Sequence, residues 1–226
     1  AKGSGMIHPN MATMISVITT DANISRRMLD RALRSVADSS FNRISVDGDT
    51  SVCDKVLILA NGLAGNPVID DEGPAYSAFE NSLRAVATEL AKMLARDGEG
   101  ATKLIEIHVK NAPDRNTAHL ILNAIAKSPL VKTAIFGCDA NWGRIITAAG
   151  YSGAEFDPDK LHVSLGNLMV CKNGMGVPFD EEKALEILRS PEVVITLDMN
   201  QGTVADRMWT CDLTNDYIRI NGSYRT

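Results

Sequence analysis

An α+β layered fold is the expectation for this chain, and three observations carry it. Helix-period segments and hairpin-like strand pairs are mixed along the sequence, which argues against a simple alternating parallel sheet. No internal repeat and no low-complexity stretch interrupts that mixture. With 226 residues, 45% of them hydrophobic, the chain can bury a sizeable core in one or two domains.

The elements follow in order. Residues 15–20 (Ile-Ser-Val-Ile-Thr-Thr) read as a strand, 21–23 turn, and Ser25 is a good N-cap for a helix to about 38. Residues 44–46 and 56–60 read as short strands joined by the turn-prone link 47–51. Asn61-Gly62 closes the second, and the segment to Pro74 is loop. A long amphipathic helix spans about 75–95, and a strand follows over 101–109. Pro113 and Asp114 open a helix ending near 126, 131–136 is strand-like, and 141–149 is helical, closed by Gly150. Extended pairing over 161–170 turns at Gly166-Asn167. A helix over 180–188 precedes strands at 193–197, 206–212 and 216–220, with turns at Gln201-Gly202 and Thr214-Asn215. A soft boundary falls near 111–113, giving parts 1–12, 13–112 and 113–226.

The net charge is -5 with no basic tract, so duplex nucleic acid and anionic membrane are poor partners. No apolar run approaches the roughly 20 residues that span a bilayer, and the N-terminal residues form no signal-peptide core. Cys53, Cys138, Cys171 and Cys211 are widely spaced and form no C-x-x-C pair. Free thiols in a reducing cytoplasm are expected, rather than a zinc knuckle or a disulfide scaffold.

The chemistry centres on Thr13. Small residues, Gly3, Ser4 and Gly5, lead toward an Ala12-Thr13 bond, and a β-branched strand follows it. Glycines permit unusual backbone angles that can hold a peptide near an attacking hydroxyl. Cutting Ala12-Thr13 would give Thr13 a free α-amine, the base that activates a terminal threonine nucleophile. Spacing alone equally allows a β-branched strand residue. Gly3-Ser4-Gly5 lacks the lysine of a phosphate loop and a complete G-x-G-x-x-G, since position 8 is His8.

The run Lys2-Gly3-Ser4-Gly5-Met6-Ile7-His8-Pro9-Asn10-Met11-Ala12-Thr13-Met14 resembles the self-cleavage segment of ornithine acetyltransferase (glutamate N-acetyltransferase), the ArgJ family. Ser45-Val46-Asp47-Gly48-Asp49-Thr50-Ser51, Arg96-Asp97-Gly98-Glu99-Gly100-Ala101-Thr102-Lys103, Asn141-Trp142-Gly143-Arg144-Ile145 and the stretch from Tyr217 to Thr226 are similar to that family too. The resemblance implies an αββα-type layered sandwich with an N-terminal-nucleophile arrangement, DmpA/ArgJ-like, plus a smaller α/β lobe whose tail returns to the active site. It implies self-cleavage at Ala12-Thr13, so that residues 1–12 end an α-chain and a mature β-chain begins at Thr13. Acetyl would pass from N2-acetylornithine to Thr13 and then to glutamate, in the cyclic route of arginine biosynthesis. Some family members also accept acetyl-CoA as a donor. No metal or organic cofactor is implied. The partner would be the α-chain of the same precursor, in an α/β heterodimer within a larger oligomer such as a heterotetramer. The oxyanion hole is a Thr-Gly pair in the preceding half of the family's precursor.

By the same resemblance, Lys2, Thr13, Glu99, Asn221 and Thr226 bind substrate. The Lys2 cation suits an α-carboxylate, and the Glu99 carboxylate suits the δ-ammonium of ornithine. Read without the family, these are a solvated end, a helix-end loop and a frayed terminus. Asp47 and Asp49 read as an ordinary turn, far short of an EF-hand loop. The family continues that motif as Thr-Asn-Asp where this chain has Val52-Cys53-Asp54. His8 could be offered as a base for Thr13, but cleavage would place it on the other product chain. Trp142 and Arg144 read as packing at a helix start. The rival reading is an N-terminal-nucleophile aminopeptidase or amidase, with water as acceptor. A third is a non-enzymatic binding module, which needs no cleavage.

Overall fold

The computed structural model describes residues 1–11 and 13–223. It is α+β, and it divides into two compact units, Ala1–Leu94 and Ala95–Thr226.

In the first unit, β1 (Ile15–Thr20) lies parallel to β2 (Lys55–Ala60), in register from Ile15 opposite Lys55 to Thr20 opposite Ala60. Between them comes α1 (Arg26–Asp38), where the Ser25 side chain accepts from the Met28 N–H. Met28, Ala32 and Val36 recur at helical spacing and are buried, which turns one stripe of α1 to the core. A short 3₁₀ turn, Phe41–Arg43, buries Phe41. The long helix α2 (Pro74–Arg96) buries Leu83, Ala87, Ala91 and Leu94 on one face. Arg84 ties it to α1 by hydrogen-bonding both Ser35 and its own-helix partner Glu80.

The second unit is a six-stranded mixed sheet in the order β6-β5-β4-β7-β3-β8. Its strands are β3 (Leu104–Ala112), β4 (His162–Leu165), β5 (Leu168–Lys172), β6 (Met175–Gly176), β7 (Glu192–Asp198) and β8 (Val204–Cys211). β3 runs parallel to β7 and antiparallel to β8. The helices are α3 (Arg115–Lys127), α4 (Pro129–Phe136), α5 (Trp142–Gly150), α6 (Glu181–Arg189) and α7 (Asn215–Ser223). α3 packs on β3 and β8. Ile105, Ile107, Ile121, Ile125, Ile195 and Leu197 are fully buried members of one hydrophobic cluster. The Asp114 carboxylate, held below the usual range by hydrogen bonds from the Thr117 N–H and hydroxyl, caps α3.

Several elements differ from expectation, each for a local reason. Residues 131–136 form α4, not a strand. Ser128 caps the Val131 N–H and Pro129 sits in the first turn, so start signals outweigh the β-branched Val131, Thr133 and Ile135. Residues 216–220 lie in α7, because the Thr214 hydroxyl accepts from the Asp216 and Tyr217 N–H groups and starts a helix. Residues 44–46 stop short of a strand, and Val46 instead donates to the Ile7 carbonyl at 2.7 Å. The soft boundary at 111–113 coincides with a register slip between β3 and β8, where Asn111 takes φ 54°. The slip is a bulge inside β3, with pairing resumed at Ala112 opposite Val204, while the division between compact units comes earlier, before β3.

Candidate active site

The chain doubles back ahead of β1. Lys2 and Ile15 exchange backbone hydrogen bonds of 2.8 and 3.0 Å, forming an antiparallel bridge that brings the first residues alongside the start of β1. The loop closed by this bridge carries Thr13 and is held by the segment 42–54. Asp47 accepts from the N–H groups of Met6, at φ 53°, and of Ile7, at 2.8 and 3.1 Å. Thr50 donates its hydroxyl to the His8 carbonyl at 2.8 Å, and Asn42 accepts from the Met11 N–H at 2.9 Å.

Thr13 itself is half-buried. Its N–H is shared between Ser51 Oγ at 2.6 Å and Asp54 Oδ1 at 2.7 Å. The next amide, Met14, also donates to Asp54 Oδ1, at 2.8 Å. The Thr13 hydroxyl lies 2.8 Å from Ser51 Oγ and 3.7 Å from Met6 Sδ. Ser51 and Asp54 are 4% and 5% exposed, so both partners of the threonine act away from bulk water. Asp54 Oδ2 is buried and has no hydrogen-bond partner among the described residues. Such a stranded carboxylate oxygen carries a desolvation cost. Asp54 also lines a cavity of about 430 Å³, beside Met11, Asn42, Lys55 and Val56.

Glu99 and Asn221 come together in the second unit. Asn221, on α7, donates its amide to Glu99 Oε2 at 2.8 Å and to the Tyr217 carbonyl at 3.1 Å. Gly100 makes the approach feasible. It holds φ +69°, and a Cβ there would meet the Tyr217 nitrogen at 2.6 Å. Thr214 donates its hydroxyl to the Gly100 carbonyl at 2.7 Å. Asp212, 3% exposed, accepts from the Thr102 and Lys103 N–H groups at 2.8 and 2.9 Å and from the Thr102 hydroxyl.

Of the residues singled out in the sequence, the structure therefore joins Lys2 to the start of β1 and Glu99 to Asn221. The Lys2 side chain is exposed. Ala12 and Thr226 lie outside the described residues. Asp47 proves to be a clamp on the backbone before Thr13, and Val52 and Cys53, where the motif departs from the family, are both exposed. Thr13 takes its side-chain contacts from Met6 and Ser51. Asn141 caps α5 by accepting from the Arg144 N–H, and Arg144 donates to the Leu130 carbonyl at 2.9 Å, which is packing chemistry. All four cysteines are free, and burial raises the Cys171 thiol above its usual range. Sequence reading passed over Ser51 and Asp54. The signal was present as two short polar side chains on a Gly-containing loop, which are disposed to accept from backbone N–H groups.

The whole chain, residues 1–226, matches the model of the ArgJ family. It is 56% identical over 230 residues to the arginine biosynthesis bifunctional protein ArgJ of Thermotoga neapolitana, covering 100% of this chain and 58% of that protein. It is 52% identical over 226 residues to the protein of the same name from Geobacillus stearothermophilus, covering 55% of it. The chain thus spans a little over half the length of these curated relatives. The crystal structure of the arginine biosynthesis bifunctional protein argJ from Bacillus halodurans superposes with a TM-score of 0.90 at 44% identity, covering 93% of this chain and 100% of that one.

Proposed function

The chain belongs to the ArgJ family, and from that premise we propose that it is part of an acyltransferase with Thr13 as its nucleophile. The Ala12-Thr13 bond is cut by the Thr13 hydroxyl through an N-to-O acyl shift and hydrolysis of the resulting ester. The freed amine then serves as base. Thr13 takes acetyl from N2-acetylornithine, releases ornithine and passes the acetyl to glutamate, as double-displacement covalent catalysis requires. Each half builds a tetrahedral oxyanion, which needs a preorganised donor pair. Acetyl-CoA is a second candidate donor. Lys2, Glu99, Asn221 and Thr226 are the proposed substrate contacts, and the chemistry uses no metal or organic cofactor.

The observation that carries this reading is the pinning of the Thr13 hydroxyl and nitrogen by two buried side chains at the start of β1. A backbone N–H needs a partner in any fold, so what sets Thr13 apart is that its nitrogen and its hydroxyl share one buried side-chain oxygen, Ser51 Oγ. A second feature supports the partner half of the proposal. Ile15, Val17, Leu57 and Leu59 on the two-stranded ribbon are 42%, 50%, 50% and 60% exposed. Parallel strands are ordinarily covered on both faces, and two strands alone are marginal. We propose that the α-chain of the same precursor covers them, completing a layered αββα sandwich in an α/β heterodimer and higher oligomer. The free thiols suit a cytoplasmic setting.

The test uses full-length protein with acetyl-labelled N2-acetylornithine. A chain beginning at Thr13, ornithine release that depends on glutamate, and equal formation of N-acetylglutamate are the expected results. Ornithine release at the same rate without glutamate would favour the aminopeptidase or amidase reading.

Glu99→Gln keeps the side-chain shape and removes the charge. A charged hydrogen bond contributes about 1.5–3 kcal/mol, so the KM for N2-acetylornithine should rise by roughly 10- to 150-fold. Self-cleavage should be unchanged. Steady-state kinetics with both acceptor and donor varied checks this, and an unaltered donor KM removes Glu99 from recognition.

A further inference from the structure

Within one threonine the hydroxyl and the nitrogen sit on adjacent carbons. A proton passing directly between them closes a five-membered ring, far from the near-linear geometry that hydrogen bonds prefer. A third atom within reach of both would relieve this. Ser51 Oγ is such an atom, at 2.6 Å from Thr13 N and 2.8 Å from Thr13 Oγ1. It also accepts from the Cys53 N–H at 3.1 Å, which fixes its place on the loop.

We propose that Ser51 relays the proton between the hydroxyl and the nitrogen of Thr13, and that Asp54 positions that nitrogen. The proposal rests on Thr13 being the nucleophile. In cleavage, Thr13 Oγ1 bonds to the Ala12 carbonyl carbon and its proton passes to Ser51 Oγ. The Ser51 proton passes to Thr13 N as the C–N bond breaks and its electron pair goes to nitrogen. The products are an ester and a neutral amine, and water then hydrolyses the ester. In transfer, Oγ1 attacks the acetyl carbon and its proton travels through Ser51 to the free amine. The protonated amine then gives that proton to the departing ornithine nitrogen as its C–N bond breaks. Ser51 ends each step unchanged.

Asp54 supplies the other half. Its Oδ1 already accepts from Thr13 N, and its Oδ2 has no partner among the described residues. The amide of the uncut chain offers that carboxylate one hydrogen, whereas the amine made by cleavage offers two, or three when protonated. The idle oxygen is placed for the product of the cut. A buried carboxylate beside an amine favours its charged form and so raises its pKa. Other titratable groups on the surrounding segments are Lys2 and His8 before Thr13, Asp47 and Asp49 on the loop, and Lys55 on β2. Asp47 is occupied by the Met6 and Ile7 amides, and Lys2, Asp49 and Lys55 are exposed.

The test follows Ser51→Ala and Asp54→Asn in the full-length protein, with folding checked by thermal unfolding. General acid–base groups contribute about 10²–10⁴-fold, and Ser51→Ala should slow cleavage by that order, read as the half-life of the intact chain. Asp54→Asn removes the charge that holds the amine protonated. The acidic limb of its acetyl-transfer profile should therefore move down by about one pH unit, a change that a purely structural residue would not produce. A folded Ser51→Ala protein that cleaves at the parent rate overturns the relay. An unmoved acidic limb in Asp54→Asn overturns the positioning role. A parent protein that is never cut at Thr13 overturns both, together with the reading beneath them.

Discussion

Thr13→Ala is expected to leave the Ala12-Thr13 bond intact and to abolish acetyl transfer. Alanine deletes the hydroxyl while keeping the backbone N–H that Ser51 and Asp54 hold. The fold therefore retains its local anchors, and the stability change should stay near or below about 1 kcal/mol, as for substitutions that strand no buried group. The chemistry has no comparable reserve, because the same oxygen attacks in both maturation and transfer. Loss of a covalent nucleophile ordinarily costs about 10⁴-fold or more. Intact mass should show one uncut chain, and labelled N2-acetylornithine should leave no acetyl on the protein. Thr13→Ser restores a hydroxyl at the same position and should recover cleavage in part. If Thr13→Ala protein is still cut, or still transfers acetyl at a substantial rate, the nucleophile lies elsewhere and His8 becomes the neighbouring group to test.

How far these residues were legible depends on the range of the interaction that defines each. Ser25 and Asp114 mark helix starts by local capping chemistry, and the helices they open are present, whereas Gly150 is the last residue of α5 and Tyr151 caps it. The Gly166 turn, at φ +54°, also stands where its sequence places it. Residues 131–136 and 216–220 misled because β-branched content was weighed above the caps just ahead of them, Ser128 and Thr214. Glu99 and Asn221 came from motif resemblance, and the glycine-rich approach before the strand left Thr13 undecided until the resemblance was added. For Ser51 and Asp54 the sequence showed short side chains disposed to accept from backbone N–H groups, but not which N–H groups they meet. Their partner is a backbone N–H 38 and 41 residues away, and that pairing exists only once β1 and β2 align side by side. The exposed face of that ribbon was equally hidden, since alternation predicts a strand and says nothing of what covers it.

Asp212→Ala should strongly destabilise the second unit and should also disturb the Glu99 loop. The carboxylate gathers three donors from Thr102 and Lys103, and the site is nearly closed to water. Alanine leaves those donors stranded. Each buried donor without a partner costs about 1–3 kcal/mol, and partial relaxation of the loop holds the expected total to roughly 3–5 kcal/mol. A shift of the urea midpoint to lower concentration with an unchanged slope measures it. Asp212→Asn keeps one acceptor oxygen for the amides but presents an N–H₂ group where Thr102 also donates, so it should fall between parent and alanine. The consequence for chemistry follows from sequence proximity. Thr102 lies three residues beyond Glu99, and Gly100, held by Thr214, is the link between them. Freed amides at Thr102 and Lys103 should exchange hydrogen faster, and the Glu99–Asn221 contact should loosen with them. Acetyl transfer should then weaken chiefly through a higher donor KM, while cleavage at Thr13, whose hydrogen-bond partners among the described residues belong to the first unit, proceeds at the parent rate. A midpoint shift equivalent to less than about 1 kcal/mol would mean that the stranded donors find water, and the loop would owe its shape to Gly100 and Thr214 instead.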